Sequence, residues 1–188
     1  MENYDKSLFD KILDEDEKII KVFKPNKVKF FVSVLVTVFL ALIFFVIFSF
    51  LPIFVPDEEG LVLGAIYLLI PFGFLVFAEI LALVLGKIYY KNVFYAYTNK
   101  RVVIRSGIFG VDYKSLDLSM IGAVDVYVSL LDKILKKDTG TIIFGSMASP
   151  MIASRGESKY RLANIVMPYE TCKEIKSYID MIKKEKNK

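Results

Sequence analysis

Glu79 is a carboxylate placed where a carboxylate is costly. It is the single acidic or basic residue inside two long apolar runs, and an acid in such a setting needs a partner or a proton. Two kinds of chemistry are open to it: a hydrogen bond with a nearby hydroxyl, or the handling of protons or ions. Thr37 in the other run stands at a matching depth, about 10 Å in from the run's edge, and Ser33 lies one helical turn away. Elsewhere the reactive inventory is short. The absence of histidine removes the commonest general base and transition-metal ligand. With one cysteine, Cys172, the chain can assemble neither a usual zinc ligand set nor an internal disulfide. Ser146, Ser149 and Ser154 have no histidine to activate them, and only composition would favour a lysine-assisted nucleophile. Gly107, Gly110 and Gly140 stand at turn or bulge positions and form no phosphate loop. No catalytic residue, metal or cofactor is therefore expected.

Basic residues are the remaining candidates. Lys18, Lys21, Lys24, Lys27 and Lys29 precede the first apolar run, Lys87 and Lys91 follow the second, and Lys100, Arg101 and Arg105 come soon after. From Lys87 to Lys188 there are 18 bases against 10 acids. Such an excess attracts anionic lipid. Tight phosphate binding needs several donors converging on one point. Arg101 and Arg105, four apart in a strand, would share a face about 13 Å apart. That spread suits a diffuse anionic surface, with Lys133, Lys136 and Lys137 adding about 1 kcal/mol each where they come near lipid. Neither a specific small-molecule ligand nor nucleic acid is expected as a partner, since a chain held at a membrane meets lipid first.

Two kinds of element must position these residues. The runs Phe30 to Val55 and Leu61 to Gly86 each have about 26 residues, and about 20 suffice to cross a bilayer core as helix. The five residues between them, with Asp57, Glu58 and Glu59, are too few for anything but an antiparallel pair. The lysines flank the pair and the acids sit in its connection, so the lysine bias puts both termini in the cytoplasm of a multi-pass protein of the cell membrane. The run is too long for a cleaved signal peptide. Ser33, Thr37 and Ala41 on one run, and Ala78, Ala82 and Gly86 on the other, have the four-residue spacing of a close-packed helix seam. The predicted division is a cytoplasmic segment 1–29, a transmembrane hairpin 30–86 (30–55 and 61–86) and a cytoplasmic domain 87–188.

After Tyr90 the texture changes to short β-branched runs separated by turn signals. Val93 to Thr98, Arg101 to Ser106, Val111 to Leu118, Ile121 to Val128, Thr141 to Ser146 and Lys159 to Val166 read as strands of an antiparallel barrel or sandwich. Leu130, Leu131, Ile134 and Leu135 read as a short helix. Pro168 opens a longer one, with Cys172, Ile175, Ile179 and Ile182 on its apolar face. Leu8, Phe9, Ile12 and Leu13 have helical spacing, followed by the acidic run Asp14 to Glu17.

These residues resemble the bacterial pleckstrin-homology (PH) membrane proteins of the two-helix type. The resemblance rests on Tyr95, Thr98 and Arg101, on Ser106-Gly107-Ile108, on Ile121, Val124 and Val126, on the segment Leu130 to Leu135, and on Gly140-Thr141. It covers about residues 15–186. Two departures are Lys137-Asp138, where a glycine is expected, and the long polar loop Met147 to Ser158. The resemblance implies a PH-like barrel of about seven antiparallel strands, all-β or α+β in class, that follows the hairpin and is capped by the C-terminal helix. It also implies assembly, as a homo-oligomer or with a membrane protein partner. The function expected is a membrane-anchored binding and scaffolding module; the rival is a subunit of an oligomeric transport or channel complex that uses Glu79.

Overall fold

A computed structural model describes residues 6–49, 59–136, 138–146 and 159–186. The connection bearing Asp57 and Glu58, the polar loop Met147 to Ser158, and Lys137 lie outside the described residues. The chain forms two compact units: Met1–Phe30 together with Tyr89–Lys188, and Phe31–Ile88.

The smaller unit is built by two helices, α1 (Lys27–Ser49) and α2 (Glu59–Asn92). Both contain stretches long and apolar enough to cross a membrane, Lys27–Ile47 and Phe72–Asn92, and the most apolar window of each is unburied. Asn26 starts α1, its side-chain Oδ1 accepting from the Lys29 backbone N–H at 3.0 Å. The 34 residues of α2 give about 51 Å of helix, longer than the predicted run. The expected seam of small residues is corrected by the structure. Thr37, Ala41, Ala78 and Ala82 are exposed, while Phe45 and Phe72 meet with ring centroids 5.5 Å apart. Ser33 and Gly86, the other two residues of the expected seam, are half-buried.

The larger unit holds seven strands: β1 (Ile19–Phe23), β2 (Phe94–Thr98), β3 (Arg101–Ser106), β4 (Asp112–Asp117), β5 (Ala123–Tyr127), β6 (Thr139–Gly145) and β7 (Tyr160–Val166). They pair into a four-stranded sheet, β1-β2-β3-β4, and a three-stranded sheet, β5-β6-β7. All the pairings are antiparallel. Six of the strands coincide with the predicted runs. The seventh, β1, precedes the long helices: Val22 faces Ala96 and Phe23 faces Tyr95. The segment 1–29, set apart in the sequence reading, thus folds with residues 89–188 as one unit.

A closed barrel is not what forms, since no ladder joins the two sheets. Side chains and the C-terminal helix α4 (Pro168–Lys186) fill the space instead. Tyr95, Tyr97, Val102 and Leu116 from one sheet meet Val124, Ile142, Phe144 and Leu162 from the other, with Cys172, Ile175 and Ile179 of α4 in the same core. The opposite face of the four-stranded sheet is covered too. A 3-10 helix, Lys6–Ile12, lays Phe9 against Phe94, Ala96 and Val103. For this reason every residue of β2 is buried, although strands with one solvated face alternate.

Candidate functional site

Each sheet has one end where the long helices attach. At the end of the four-stranded sheet, β1 runs into Pro25 and α1, and α2 runs through Val93 into β2. Tyr90 Oη donates to the Pro25 carbonyl at 3.1 Å, and the Phe30 ring lies against Tyr89 and Tyr90, 6.1 and 5.3 Å between centroids. The three-stranded sheet meets the same place through a hydrogen bond from Asn26 N to the Asn164 carbonyl at 2.7 Å. It meets it again through α3 (Leu130–Ile134).

That second link is a buried ion pair. Lys29 and Asp132 are 3 % and 4 % exposed, and Lys29 Nζ stands 2.9 Å from Asp132 Oδ1. Lys29 also donates to Ser129 Oγ at 2.7 Å, and Thr139 Oγ1 donates to Asp132 Oδ1 at 2.5 Å. Ser129 and Asp132 form a reciprocal capping box at the start of α3. Burial pushes the Asp132 carboxyl up, but the hydrogen bonds from Ser129, Thr139 and Lys29 outweigh it and hold the group below its ordinary range. The sequence reading counted Lys29 among the surface bases. The structure corrects this: the ammonium is enclosed and neutralised.

The other predicted bases divide between the two ends. Lys24 lies 4.9 Å from the Tyr90 ring centroid and 4.3 Å from that of Phe94. Arg105 Nη1 donates to the Asn92 carbonyl at 3.2 Å, and its guanidinium lies 5.6 Å from the Phe94 centroid. Lys27 and Lys91 are exposed beside them, and Lys87 is exposed on α2. Lys21 is paired with Glu174 of α4, which also accepts from Tyr97 Oη at 2.6 Å.

Lys18, Lys100 and Arg101 stand at the far end of the sheet, around the β2–β3 turn, so they share no surface with Lys27 and Lys91. Arg101 is committed to structure. Its Nε donates to Glu17 Oε1 at 3.0 Å, and one terminal nitrogen reaches Glu17 Oε2 and the Ile12 carbonyl, each at 2.7 Å. Thr98 Oγ1 donates to Glu17 Oε1 at 2.6 Å. Burial pushes the Glu17 carboxyl up, yet Arg101 and Thr98 hold it below its usual range. A depression of about 390 Å³ at this end is lined by Asp14, Asn99, Lys100, Arg101, Asp117, Ser119 and Ile182. Its two bases already face Asp14, at 3.6 and 3.7 Å.

Glu79 is half-buried, and its Oε1 has no hydrogen-bond partner among the described residues. Thr37 does not supply one, because its hydroxyl donates along its own helix to the Ser33 carbonyl at 3.1 Å. The expected Thr37 pairing is thereby corrected: a threonine in a helix satisfies its hydroxyl one turn back at no cost in reach.

A family model for the bacterial PH domain matches residues 26–180. The chain belongs to the bacterial PH domain family. No curated protein and no solved structure matches it significantly. The matched span contains the helix pair and begins just after β1. The residues that carry the PH resemblance are structural in this chain. Thr98 Oγ1 accepts from the backbone N–H groups of Lys100 and Arg101 and so closes the β2–β3 turn. Gly107 has φ of +144°, and a Cβ there would stand 2.0 Å from the Gly110 carbonyl oxygen.

Sequence reasoning missed three features of the PH domain. Glu17 sits in an acidic run that reads as solvated, and Asp132 lies about 100 residues from the lysine it holds. Phe109 occupies the tip of the β3–β4 turn and is almost wholly exposed. A bulky aromatic flanked by turn glycines was the available signal for it.

Proposed function

We propose that this PH domain protein crosses the membrane twice and holds its sheet domain at the cytoplasmic face, where it acts by binding and assembly, without catalysis. One observation carries the reading. β1 and β2 are hydrogen-bonded neighbours in a single sheet, yet the two long apolar helices lie between them in the chain. If those helices span a bilayer, the chain must leave one side and return to it. The lysine bias favours the cytoplasm as that side. The absence of histidine and the commitment of Glu17, Arg101, Lys29 and Asp132 to internal pairs support a binding role over an enzymatic one. The partners named by this reading are the lipid bilayer and either further copies of the chain or another membrane protein.

Topology is tested by labelling in a Cys172→Ala background. Glu59→Cys is expected to react with an impermeant thiol reagent added to intact cells, and Lys184→Cys only after permeabilisation. The reverse pattern would overturn the orientation. Assembly is tested by crosslinking in native membranes and by particle mass in detergent. A single 21.5 kDa chain with no crosslinked neighbour would remove it. A transport role is the second reading, favoured by the Oε1 of Glu79, which has no partner among the described residues. Loss of an ion flux in Glu79→Gln with assembly intact would select it.

A further inference from the structure

We propose that the tip of the β3–β4 turn and the outer face of α3 enter the lipid headgroup layer, giving the PH domain two interfacial anchors beside its helix roots. The inference rests on the reading above, that α1 and α2 cross a bilayer.

Position is the first argument. Asn92 is the last residue of α2, and its Nδ2 donates to the Gly107 carbonyl in the β3–β4 turn at 3.1 Å. Lys29 lies in the first turn of α1 and is bonded to Ser129 and Asp132 of the α3 capping box. Each apolar feature is therefore one side chain away from a helix root: Lys29 precedes Phe30, where the first apolar run begins, and Asn92 stands about 9 Å of helix past Gly86, where the second ends.

Exposure is the second. Phe109 is 93 % exposed, and Leu130 and Ile134, four apart on one face of α3, are 76 % and 72 % exposed. The sequence places Leu130 and Ile134 in an apolar stripe of the kind that faces a core, yet the core leaves them out. Nor can either element fold its apolar side chains inward cheaply. The turn is fixed by the Gly107 conformation and the Asn92 bond, and α3 by its capping box and the buried ion pair.

Charge decides for lipid over a protein partner. Lys27 and Lys91 are exposed at the helix roots and Lys133 on α3, with Lys24 against the Tyr90 and Phe94 rings and Arg105 against Phe94. Asp112 and Asp138 are the exposed acids nearby. Apolar tips accompanied by exposed bases at the same helix roots match a surface that is oily within and anionic at its rim.

The natural chain has no tryptophan, so single tryptophans report depth without background. Full-length Phe109→Trp, Leu130→Trp, Phe74→Trp and Met120→Trp would be placed in phosphatidylglycerol-containing vesicles, with and without brominated acyl chains. Phe74 lies at the middle of the second apolar run. Met120 is exposed at the far end of the sheet, where Leu118 bonds the β2–β3 turn. Brominated chains are expected to remove about half or more of the emission from Phe109→Trp and Leu130→Trp, and less than about a tenth from Met120→Trp. Quenching of Phe74→Trp without quenching at 109 and 130 would overturn the two anchors while leaving the spans intact. A blue-shifted but unquenched Phe109→Trp would mean that protein covers the tip, which also overturns the proposal. An unquenched Phe74→Trp would instead sink the membrane reading itself.

Discussion

Asp132→Ala is expected to destabilise the sheet domain by about 3–5 kcal/mol, the usual effect of leaving one member of a buried ion pair without its partner. The Lys29 ammonium would remain 3 % exposed with Ser129 Oγ as its remaining acceptor. Lys29→Met should be severe too, although Ser129 and Thr139 still donate to the orphaned carboxylate. The double variant Lys29→Met/Asp132→Leu should recover much of the loss, because it buries no charge at all. Denaturant unfolding of the full chain in detergent, followed by tyrosine circular dichroism, would measure the cycle. A loss below about 1 kcal/mol for Asp132→Ala would mean that the site is wet. Acid should act through the same carboxylate. Its folded pKa lies below the ordinary 3.8, so its contribution is complete above about pH 4 and is lost as pH falls further. Glu17 and Glu174 are shifted the same way and add to the acid limb. Asp132→Asn should flatten that limb.

Arg101→Met should be comparably destabilising, by about 3–5 kcal/mol, because it strands the Glu17 carboxylate, whose side chain is 0 % exposed. It should not reduce brominated-lipid quenching of Phe109→Trp in anionic vesicles, since Arg101 stands at the end of the sheet away from the helix roots. Lys27→Gln and Lys91→Gln are the opposite case: stability unchanged, brominated-lipid quenching of Phe109→Trp reduced, and its salt dependence weakened, because fewer charges remain to be screened. Equal loss of that quenching from Arg101→Met in a still-folded protein would return Arg101 to the role that its charge suggested in the sequence.

Much of this was readable along the chain because it is local. The alternation Val124-Asp125-Val126, the turn residues Asn99-Lys100 and Gly107, and the stripe Cys172, Ile175, Ile179 each announce an element within a few residues. β1 has no such signal. Ile19 to Phe23 does not alternate, follows four acids, and pairs with a strand far along the chain. The roles of the bases were legible only as charge. Lys29 and Lys27 look alike in sequence, yet one is buried against Asp132 and the other is exposed, a difference fixed by a partner that tertiary folding supplies. Leu130 and Ile134 misled in the other direction: a helical apolar stripe normally points to a core, and these two residues point out of it.

The placement of the helix pair between β1 and β2 has a consequence for how the protein is made. β1 leaves the ribosome first and must wait, unpaired, while about 70 further residues are synthesised before β2 appears. A strand left waiting has open edges and is prone to wrong pairing. If the two helices cross a bilayer, as proposed, its correct partner arrives on the same side only when the chain has been threaded an even number of times. A ribosome product with one helix inserted would have its two strands on opposite faces of the bilayer, unable to meet. Completion of the four-stranded sheet would then act as a proofreading step on insertion, and failed molecules would be left with exposed strand edges for quality control to recognise.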